Sequence, residues 1–215
     1  MKFSESWTKF QLHFHELSSD KSELIFEDDK VEVYTIPLTH RIYTNGYLFR
    51  EKPRQRKLNM ENVRMYDEIE TCDYHNIKAG KDFVLASGEV VPNTDLTIPP
   101  PPPKSYAFCS DTIYKPDIVP IIKNVDLLYH EATFLEDRKN LTDRTKHSTA
   151  KEAGIIARDA NVKQLILGHY SGRYTNLEDF RIEAKTVFEN TELAEAGRLK
   201  ITFRRFLFFK SYVNY

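Results

Sequence analysis

The sequence predicts an α/β fold in which a β-rich segment precedes alternating strands and helices. Residues 1–49 hold short alternating apolar runs separated by turn residues, which is typical of hairpins. From residue 106 onward, apolar runs of three or four residues alternate with helical patterns, which is typical of strand–helix–strand units. The chain has 215 residues, 40% of them hydrophobic, enough for a substantial core, and we interpret residues 1–215 as a single domain.

The β-rich segment predicts a meander of antiparallel strands. Glu27–Lys30 is typical of a turn, because its charged residues separate two apolar runs. The predicted strands are Phe10–His15, Leu24–Phe26, Val31–Ile36 and Tyr43–Phe49.

Residues 50–104 differ in composition from both flanks, and we interpret them as an inserted basic arm or long loop. The segment begins with REKPRQRK (50–57), which carries five positive residues and one negative. Asn59–Glu70 is polar and predicts a partly helical stretch. The proline run Pro99–Pro103 predicts an extended spacer.

The second half predicts alternating strands and helices. Thr149 and Glu152 fit a capping box, with apolar residues following on one helix face. The predicted strands are Tyr106–Cys109, Asp126–Tyr129, Leu165–Leu167 and Leu199–Phe203, and the predicted helices are Pro116–Lys123, Thr149–Ala160 and Leu177–Phe188.

Composition excludes some classes of protein. The net charge of −1 and pI near 6.7 argue neither for nor against nucleic acid, so a basic surface must be local. Two distant cysteines, Cys72 and Cys109, indicate neither a disulfide framework nor a cysteine-rich zinc site. No secretory signal or apolar run near 18 residues is evident. We therefore expect a cytoplasmic protein without a membrane partner.

Three successive predicted strands end in groups that bind metals or move protons. Asp111 follows the first, His130 and Glu131 follow the second, and His169 follows the third. Because carboxyl ends of strands in layered α/β folds border the functional crevice, we expect these groups to meet at one rim. Histidine and aspartate are ligands that zinc prefers.

Each residue also has an ordinary structural interpretation. Asp111 is a candidate helix N-cap, and His130 with Glu131 is a candidate hydrogen-bonded pair. His147 is a candidate loop residue and His169 a candidate structural histidine. His40 lies at a turn and alone means little. The remaining histidines lack such a context and are interpreted as surface or strand residues: His13, His15 and His75.

With these motifs in view, the sequence resembles ribonuclease Z, the tRNA 3′-processing endonuclease family of the metallo-β-lactamase superfamily. The resemblance implies an αββα sandwich with two zinc ions at the sheet edges. The matching segments occur in the family's order and cover most of the chain outside the arm. They are PLTHRIYTNGYLF (37–49), FCSDT (108–112), LLYHEATF (127–134), HSTAKEAGIIARDANVKQLILGHYSGRY (147–174) and EAKTVFENTELAEAG (183–197).

The resemblance implies three metal ligands in this chain. His40 is similar to a ligand of one zinc ion, Asp111 to the carboxylate that bridges both, and His169 to a ligand of the second. Two zinc ions clamp a phosphodiester, generate hydroxide near neutral pH and stabilise the leaving oxygen.

The resemblance also implies catalytic and substrate-binding residues. Glu131 and His147 are similar to the pair beside the scissile phosphate, with His147 as the proton donor. Arg173 is similar to a contact of the substrate phosphate or 3′ end. Arg54 and Arg56 in the basic cluster suit backbone phosphates, although an ordinary solvated charged loop is the alternative.

The sequence departs from the family pattern in three places. The family's strongest zinc motif, H-x-H-x-D-H, is absent, and the nearest sequence, His13–His15, lacks its Asp-His pair. Three ligands do not fill two tetrahedral sites. We therefore expect a fold that is incomplete at the N-terminus, with an exposed apolar edge and reduced stability.

The other two departures lie in the arm and near residue 195. The arm lacks the Gly-Pro pair that the family often has there. Leu193–Gly197 replaces a segment that tends to contain aspartate in the family, so this segment is assigned no role.

The leading hypothesis is a zinc-dependent endoribonuclease that processes the 3′ end of precursor tRNA, with the activity of this chain by itself left open. The resemblance further implies a homodimer. One alternative is a non-catalytic RNA-binding or dimerisation fragment. Another is a superfamily phosphodiesterase with a different substrate.

Overall fold

The computed structural model describes residues 13–195 and begins with an antiparallel meander. The Asp28 carboxylate forms the first turn, because it accepts hydrogen bonds from the N–H groups of Lys30 and Val31. The predicted hairpins are thereby confirmed. The strands are β1 (Leu24–Glu27), β2 (Val31–Pro37) and β3 (Asn45–Glu51).

The predicted strand Phe10–His15 is wrong where the structure describes it. Residues 10–12 lie outside the described residues, and His13–His15 is exposed and belongs to neither a helix nor a strand. Alternation of apolar residues forms a strand only when a neighbour satisfies its backbone hydrogen bonds. Within residues 13–195, His13–His15 joins none of the sheets.

The arm folds as a small unit with its own apolar core, formed by Val63, Ile69, Ile77, Val91 and Leu96. The predicted partly helical stretch is a four-residue helix, and the proline run connects the unit to the next strand. Its elements are β4 (Lys57–Leu58), α1 (Met60–Val63), α2 (Tyr74–Lys78), β5 (Phe83–Val84), β6 (Val90–Val91), α3 (Asn93–Leu96) and β7 (Thr97–Ile98).

The second half confirms most of the predicted alternation of strands and helices. The predicted strand Leu199–Phe203 lies outside the described residues, and the three-residue strand β11 was not predicted. The elements are β8 (Ser105–Cys109), β9 (Leu127–Glu131), α4 (Thr142–Thr145), α5 (Ala150–Asp159), β10 (Leu165–Gly168), α6 (Glu178–Lys185) and β11 (Thr191–Leu193).

The predicted helix Pro116–Lys123 is wrong. Only a 3₁₀ turn forms, at Pro116–Ile118. Pro120 has no N–H group to donate to the Pro116 carbonyl, which accepts instead from Val119 at 3.0 Å. An α-helix therefore does not continue through this segment.

In the described part of the chain, the main sheet has seven strands in the order β1-β2-β3-β8-β9-β10-β11. The strands from β8 to β11 are parallel neighbours. Cys109 lies opposite His130, and Glu131 lies opposite Gly168. The carboxyl ends of β8, β9 and β10 consequently lie side by side, as the sequence predicts.

One face of this sheet packs against α5 and α6. Sheet residues Ala107, Leu128 and Leu165 form one buried cluster with Ile156 of α5 and Phe180 of α6. The alternate residues on the other face include two stacked aromatic pairs, Phe49 with Tyr106 and Phe108 with Tyr129. Within residues 13–195, no helix is long and apolar enough to cross a membrane.

Among residues 13–195, β1 is the terminal strand of the seven-stranded sheet and forms an exposed apolar edge. All four of its residues are exposed, including the apolar residues Leu24, Ile25 and Phe26. An edge strand of this kind presents both apolar side chains and backbone hydrogen-bonding groups.

Gly46 sets the separation of β3 and β8 beside the loop that carries His40. A Cβ atom at this position would lie 2.3 Å from the Phe108 carbonyl oxygen, which belongs to the backbone and has little freedom to move. We predict that Gly46→Ala lowers the free energy of unfolding by about 1–3 kcal/mol, measured by urea denaturation. Gly172→Ala is the control, because a Cβ there meets nothing within 4 Å. Equal stability of the two variants would contradict the prediction.

Candidate metal centre

Four side chains from separate segments converge at the rim of the sheet. The ligand atoms of Asp111, Glu131, His147 and His169 all lie within 4.8 Å of one another. Asp111 Oδ1 is 3.2 Å from His169 Nε2, and the rings of His147 and His169 are 5.2 Å apart. The structure therefore brings together four of the residues to which the sequence assigned metal or catalytic roles.

Backbone strain is concentrated at this rim. Asp111, Lys146 and His169 have left-handed backbone angles, with φ of 56°, 61° and 60°. The other non-glycine residues with positive φ among the described residues are Asn124 and Asn161. Asparagine, aspartate and histidine adopt this conformation more readily than other residue types with a side chain, so Lys146 is the least favourable of the five. Such a conformation costs about 1–2 kcal/mol per residue. Packing and hydrogen bonds around the rim must offset that cost.

Gly168 allows β10 to approach its neighbour closely just before His169. A Cβ atom there would lie 2.2 Å from the Tyr129 hydroxyl oxygen and 2.6 Å from the ring carbon that bears it. A larger residue would displace the aromatic ring or the end of the strand. The strand reaches its rim position because this residue is glycine.

Glu131 is fully buried, and its carboxylate accepts hydrogen bonds from every segment around it. Oε1 accepts from the Thr112 N–H at 2.7 Å and from His147 Nδ1 at 2.8 Å. Oε2 accepts from the Thr133 hydroxyl at 2.7 Å and from the Ser148 N–H at 3.3 Å. Burial alone would raise the pKa of Glu131, but His147 and these other donors outweigh it and lower the pKa. The group is therefore an ionised carboxylate near neutral pH.

His147 is held over Glu131 by the start of α5. Phe134 forms a β-bridge with Thr149, and Thr149 forms the predicted capping box with Glu152. The hydrogen bond to Glu131 raises the pKa of His147, despite an opposing effect of burial. Because Nδ1 is bonded to Glu131, Nε2 is the ring nitrogen that remains for a further partner.

His40 lies beside the group of four rather than within it. Its ring is 5.0 Å from the His147 ring, and its Nδ1 lies 3.1 Å from the Lys146 carbonyl oxygen. That contact fixes the ring orientation, because Nδ1–H donates to the carbonyl and Nε2 keeps its lone pair. The assignment of His40 as a metal ligand stays a prediction.

His130 does not share the role of its neighbour. The side chain is fully buried on the opposite side of β9, and its Nδ1 lies 2.8 Å from the Glu131 backbone carbonyl. Burial lowers the pKa of His130. The two residues are therefore hydrogen-bonded, as the structural interpretation expects, but through the Glu131 backbone, because the Glu131 carboxylate bonds to His147.

The predicted substrate-binding arginines lie at two places. Arg173 is exposed on the turn that follows His169. Arg54 forms an ion pair with Glu51 at 3.1 Å, and the Arg56 guanidinium donates to Thr97 inside the arm. Part of the charge of the basic cluster therefore serves contacts within the protein.

Sequence reasoning missed three residues that surround Glu131: Thr112, Thr133 and Ser148. The position of Thr133 could have been predicted from its spacing. It lies two residues after Glu131, and extended backbone places the side chains of alternate residues on the same side. The donors in Thr112 and Ser148 are backbone N–H groups, which no side-chain motif reveals.

The Glu131–His147 pair predicts how His147 titrates in metal-free protein. Glu131 raises the pKa of His147 above its ordinary value, so the ring keeps its proton to higher pH. The ion pair therefore contributes its full stability below the ordinary pKa of histidine, about 6.5, and loses it as the pH rises through the raised pKa. In Glu131→Gln both raising effects of the carboxylate are lost, and burial, which lowers the pKa, is the largest of the effects that remain, ahead of those of Asp111 and Arg41. We expect a lower His147 pKa in that variant, measured by NMR titration of its ring protons.

A matched control for this titration is the exposed carboxylate Glu89 in the arm. Glu89→Gln should leave the His147 titration as it is in the wild type. If Glu131→Gln also leaves it unchanged, the carboxylate does not control the protonation of His147.

Comparison with known proteins finds sequence relatives over most of the chain. No protein-family model matches the chain. Ribonuclease Z of Porphyromonas gingivalis is 47% identical over 192 residues, 89% of this chain and 62% of that protein. Ribonuclease Z of Parabacteroides distasonis is 44% identical over 87% of this chain and 62% of that protein.

A solved structure with the same architecture is the metallo-β-lactamase fold protein YhfI of Bacillus subtilis. The TM-score is 0.52 with 18% sequence identity, covering 85% of this chain and 53% of that chain, a likeness that concerns the fold alone. The chain spans about three-fifths of the length of the curated relatives that it matches. It is a homologue of the bacterial ribonucleases Z over that length and has the metallo-β-lactamase fold.

Proposed function

We propose that this chain carries part of the active site of a zinc-dependent endoribonuclease that removes the 3′ trailer of precursor tRNA. The observation that carries the proposal is 47% identity to a ribonuclease Z over 89% of the chain. The convergence of Asp111, Glu131, His147 and His169 at one rim supports it independently. Both observations favour phosphodiester hydrolysis at this rim.

The residues at the rim fit zinc ions. A carboxylate and an imidazole nitrogen 3.2 Å apart, Asp111 and His169, present the donor types that zinc prefers, and both side chains are partly exposed. His40 adds a third donor beside them. When bound, zinc would polarise the substrate phosphate and make hydroxide available as a nucleophile near neutral pH.

Glu131 and His147 handle the proton in this proposal. The leaving 3′ oxygen of the cleaved ribose needs a proton, and His147 is held by a carboxylate that favours its charged form. Glu131 stays ionised and fixes the imidazole orientation. His147 is consequently a general acid, and Glu131 is the group that orients it.

The arginines bind the anionic substrate. The exposed guanidinium of Arg173 follows His169 by four residues and suits a phosphate near the scissile bond. Arg54 and Arg56 at the base of the arm contact more distant backbone phosphates. Such contacts weaken steeply as the salt concentration rises.

Assembly and location form part of the same proposal. The resemblance to ribonuclease Z implies a homodimer. Cys72 and Cys109 are free thiols, which suits the reducing cytoplasm. Light scattering of the purified protein tests the assembly: a monomer mass at all concentrations would exclude the dimer.

A second candidate function is a non-catalytic tRNA-binding module. The absence of H-x-H-x-D-H from the 215 residues favours it, because this chain then supplies fewer ligands than two tetrahedral sites need. This candidate retains tRNA binding with steep salt dependence and lacks cleavage at saturating zinc.

Cleavage of a 5′-labelled precursor tRNA with a 3′ trailer separates these functions. In a protein that joins this chain to the H-x-H-x-D-H segment of the family, we expect added zinc to support release of the trailer. We expect His169→Ala to lose both that activity and the zinc bound at one position, measured by elemental analysis. His75→Ala is the matched control, since His75 is exposed in the arm. Salt-sensitive tRNA binding without cleavage would exclude the endoribonuclease function and favour the non-catalytic tRNA-binding module. Turnover of a small phosphodiester alone would indicate another substrate.

Arg173→Ala tests substrate binding separately from metal binding. Because the side chain is exposed and its contact to Ser171 is long, 3.5 Å, its loss should leave the zinc content and thermal stability unchanged. We expect KM for precursor tRNA to rise about tenfold, in keeping with the loss of one charged hydrogen bond. An unchanged KM, or a loss of zinc, would contradict this role.

A further inference from the structure

The Thr133 hydroxyl occupies a position between the candidate metal ligand and the carboxylate that orients the proton donor. Thr133 is nearly fully buried. Its Oγ1 lies 2.7 Å from Glu131 Oε2, 2.9 Å from His169 Nδ1 and 3.0 Å from the His169 carbonyl oxygen. One hydroxyl group is therefore within hydrogen-bonding distance of two functional side chains that come from different strands.

The chemistry of these groups decides which way the protons point. A hydroxyl donates one proton and accepts through its lone pairs. The Glu131 carboxylate is ionised and offers the shortest contact, so it is the acceptor that the Thr133 proton favours. The Thr133 oxygen then accepts from Nδ1–H of His169.

We propose that Thr133 is a positioning residue that fixes the metal-binding tautomer of His169 and ties its ring to Glu131. With Nδ1 protonated, the lone pair of the neutral ring is at Nε2. That nitrogen faces Asp111 Oδ1 at 3.2 Å, where a shared metal ion would be held. The opposite tautomer carries a proton at Nε2 and has no lone pair there for a metal.

The backbone explains why a side chain is needed for this purpose. His169 has a strained left-handed conformation and a partly exposed side chain, so packing alone restrains its ring weakly. Thr133 bonds to the ring, and the Ser171 N–H donates to the Thr133 carbonyl at 3.1 Å. The turn after β10 is therefore fastened to Thr133 at both its first residue and its third.

A hydrogen-bonded chain results from this arrangement: His169, Thr133, Glu131 and His147. It links a candidate metal ligand to the candidate general acid without a break. Thr133 occupies the position between the two halves of the site. This inference rests on the proposed function, because the His169 tautomer matters only where that nitrogen binds a metal.

The test compares Thr133→Val, which removes the hydroxyl at nearly constant shape, with Thr133→Ser, which keeps it. Long-range proton–nitrogen NMR on metal-free protein distinguishes Nδ1–H, Nε2–H and the doubly protonated ring, and so reports the tautomer of His169. Because the Asp111 carboxylate favours Nε2–H when no metal lies between the two groups, the expected effect is a shift of the tautomer equilibrium. We expect a larger Nδ1–H fraction in the wild type and in Thr133→Ser than in Thr133→Val. A wild-type His169 wholly in the Nε2–H form would overturn the proposal even if the valine variant does not fold.

Zinc affinity, measured by competition with a chromophoric chelator, is the second readout. We expect Thr133→Val to weaken zinc binding about 10–100-fold, as is usual for a lost partner of a metal ligand, and Thr133→Ser to restore it. Thr191→Val is the matched control, since Thr191 is a buried threonine whose hydroxyl bonds to the Phe188 carbonyl. Equal weakening in Thr191→Val, or wild-type affinity in a folded Thr133→Val, would overturn the proposal.

The same readouts separate this inference from the proposed function. Neither the tautomer nor the zinc affinity requires tRNA cleavage. A chain that binds zinc in a Thr133-dependent manner but leaves precursor tRNA intact would remove the endoribonuclease function and retain the role of Thr133. If Thr133→Val still cleaves precursor tRNA and its His169 tautomer and zinc affinity are unchanged, the endoribonuclease function is retained and the role of Thr133 is removed.

Discussion

The site depends on one buried carboxylate, that of Glu131. An ionised carboxylate in a protein interior costs several kcal/mol unless hydrogen bonds and an opposite charge compensate. Glu131 receives its four hydrogen bonds from the segments after β8 and β9 and from the start of α5. Burial of this group is therefore tolerated only when all three segments are in place, and the carboxylate makes the assembly of the rim cooperative.

The parallel register of the sheet supplies the framework for that carboxylate. Because β8, β9 and β10 run in parallel, the chain leaves each strand at the same edge. The residues just past β8 and β10, Asp111 and His169, adopt left-handed backbone angles there. Their strain is local, whereas the hydrogen bonds that oppose it come from neighbouring segments. The rim is consequently stable as a unit although single residues within it are not relaxed.

The sequence predicted those features of the rim that depend on only a few neighbouring residues. Strand ends and the capping box of α5 could be predicted because alternation, apolar runs and the Thr149–Glu152 spacing are readable within a few residues. The failures have non-local causes. The segment at Pro116 had a helical pattern that Pro120 interrupts, and His13–His15 had strand alternation without a partner. Thr112 and Ser148 act through backbone N–H groups on Glu131, which depends on how distant segments meet.

The two sides of the rim differ in how completely these residues build them. On the proton-handling side, Glu131 is fully buried and His147 is largely enclosed. On the metal side, Asp111 and His169 keep 47% and 41% of their side-chain surface exposed. Hydrogen bonds within the chain therefore hold Glu131 and His147 in place, whereas the side chains of Asp111 and His169 are partly exposed. Thr133 lies on the boundary between these sides, so in our proposal the buried carboxylate orients the His169 ring through the Thr133 hydroxyl.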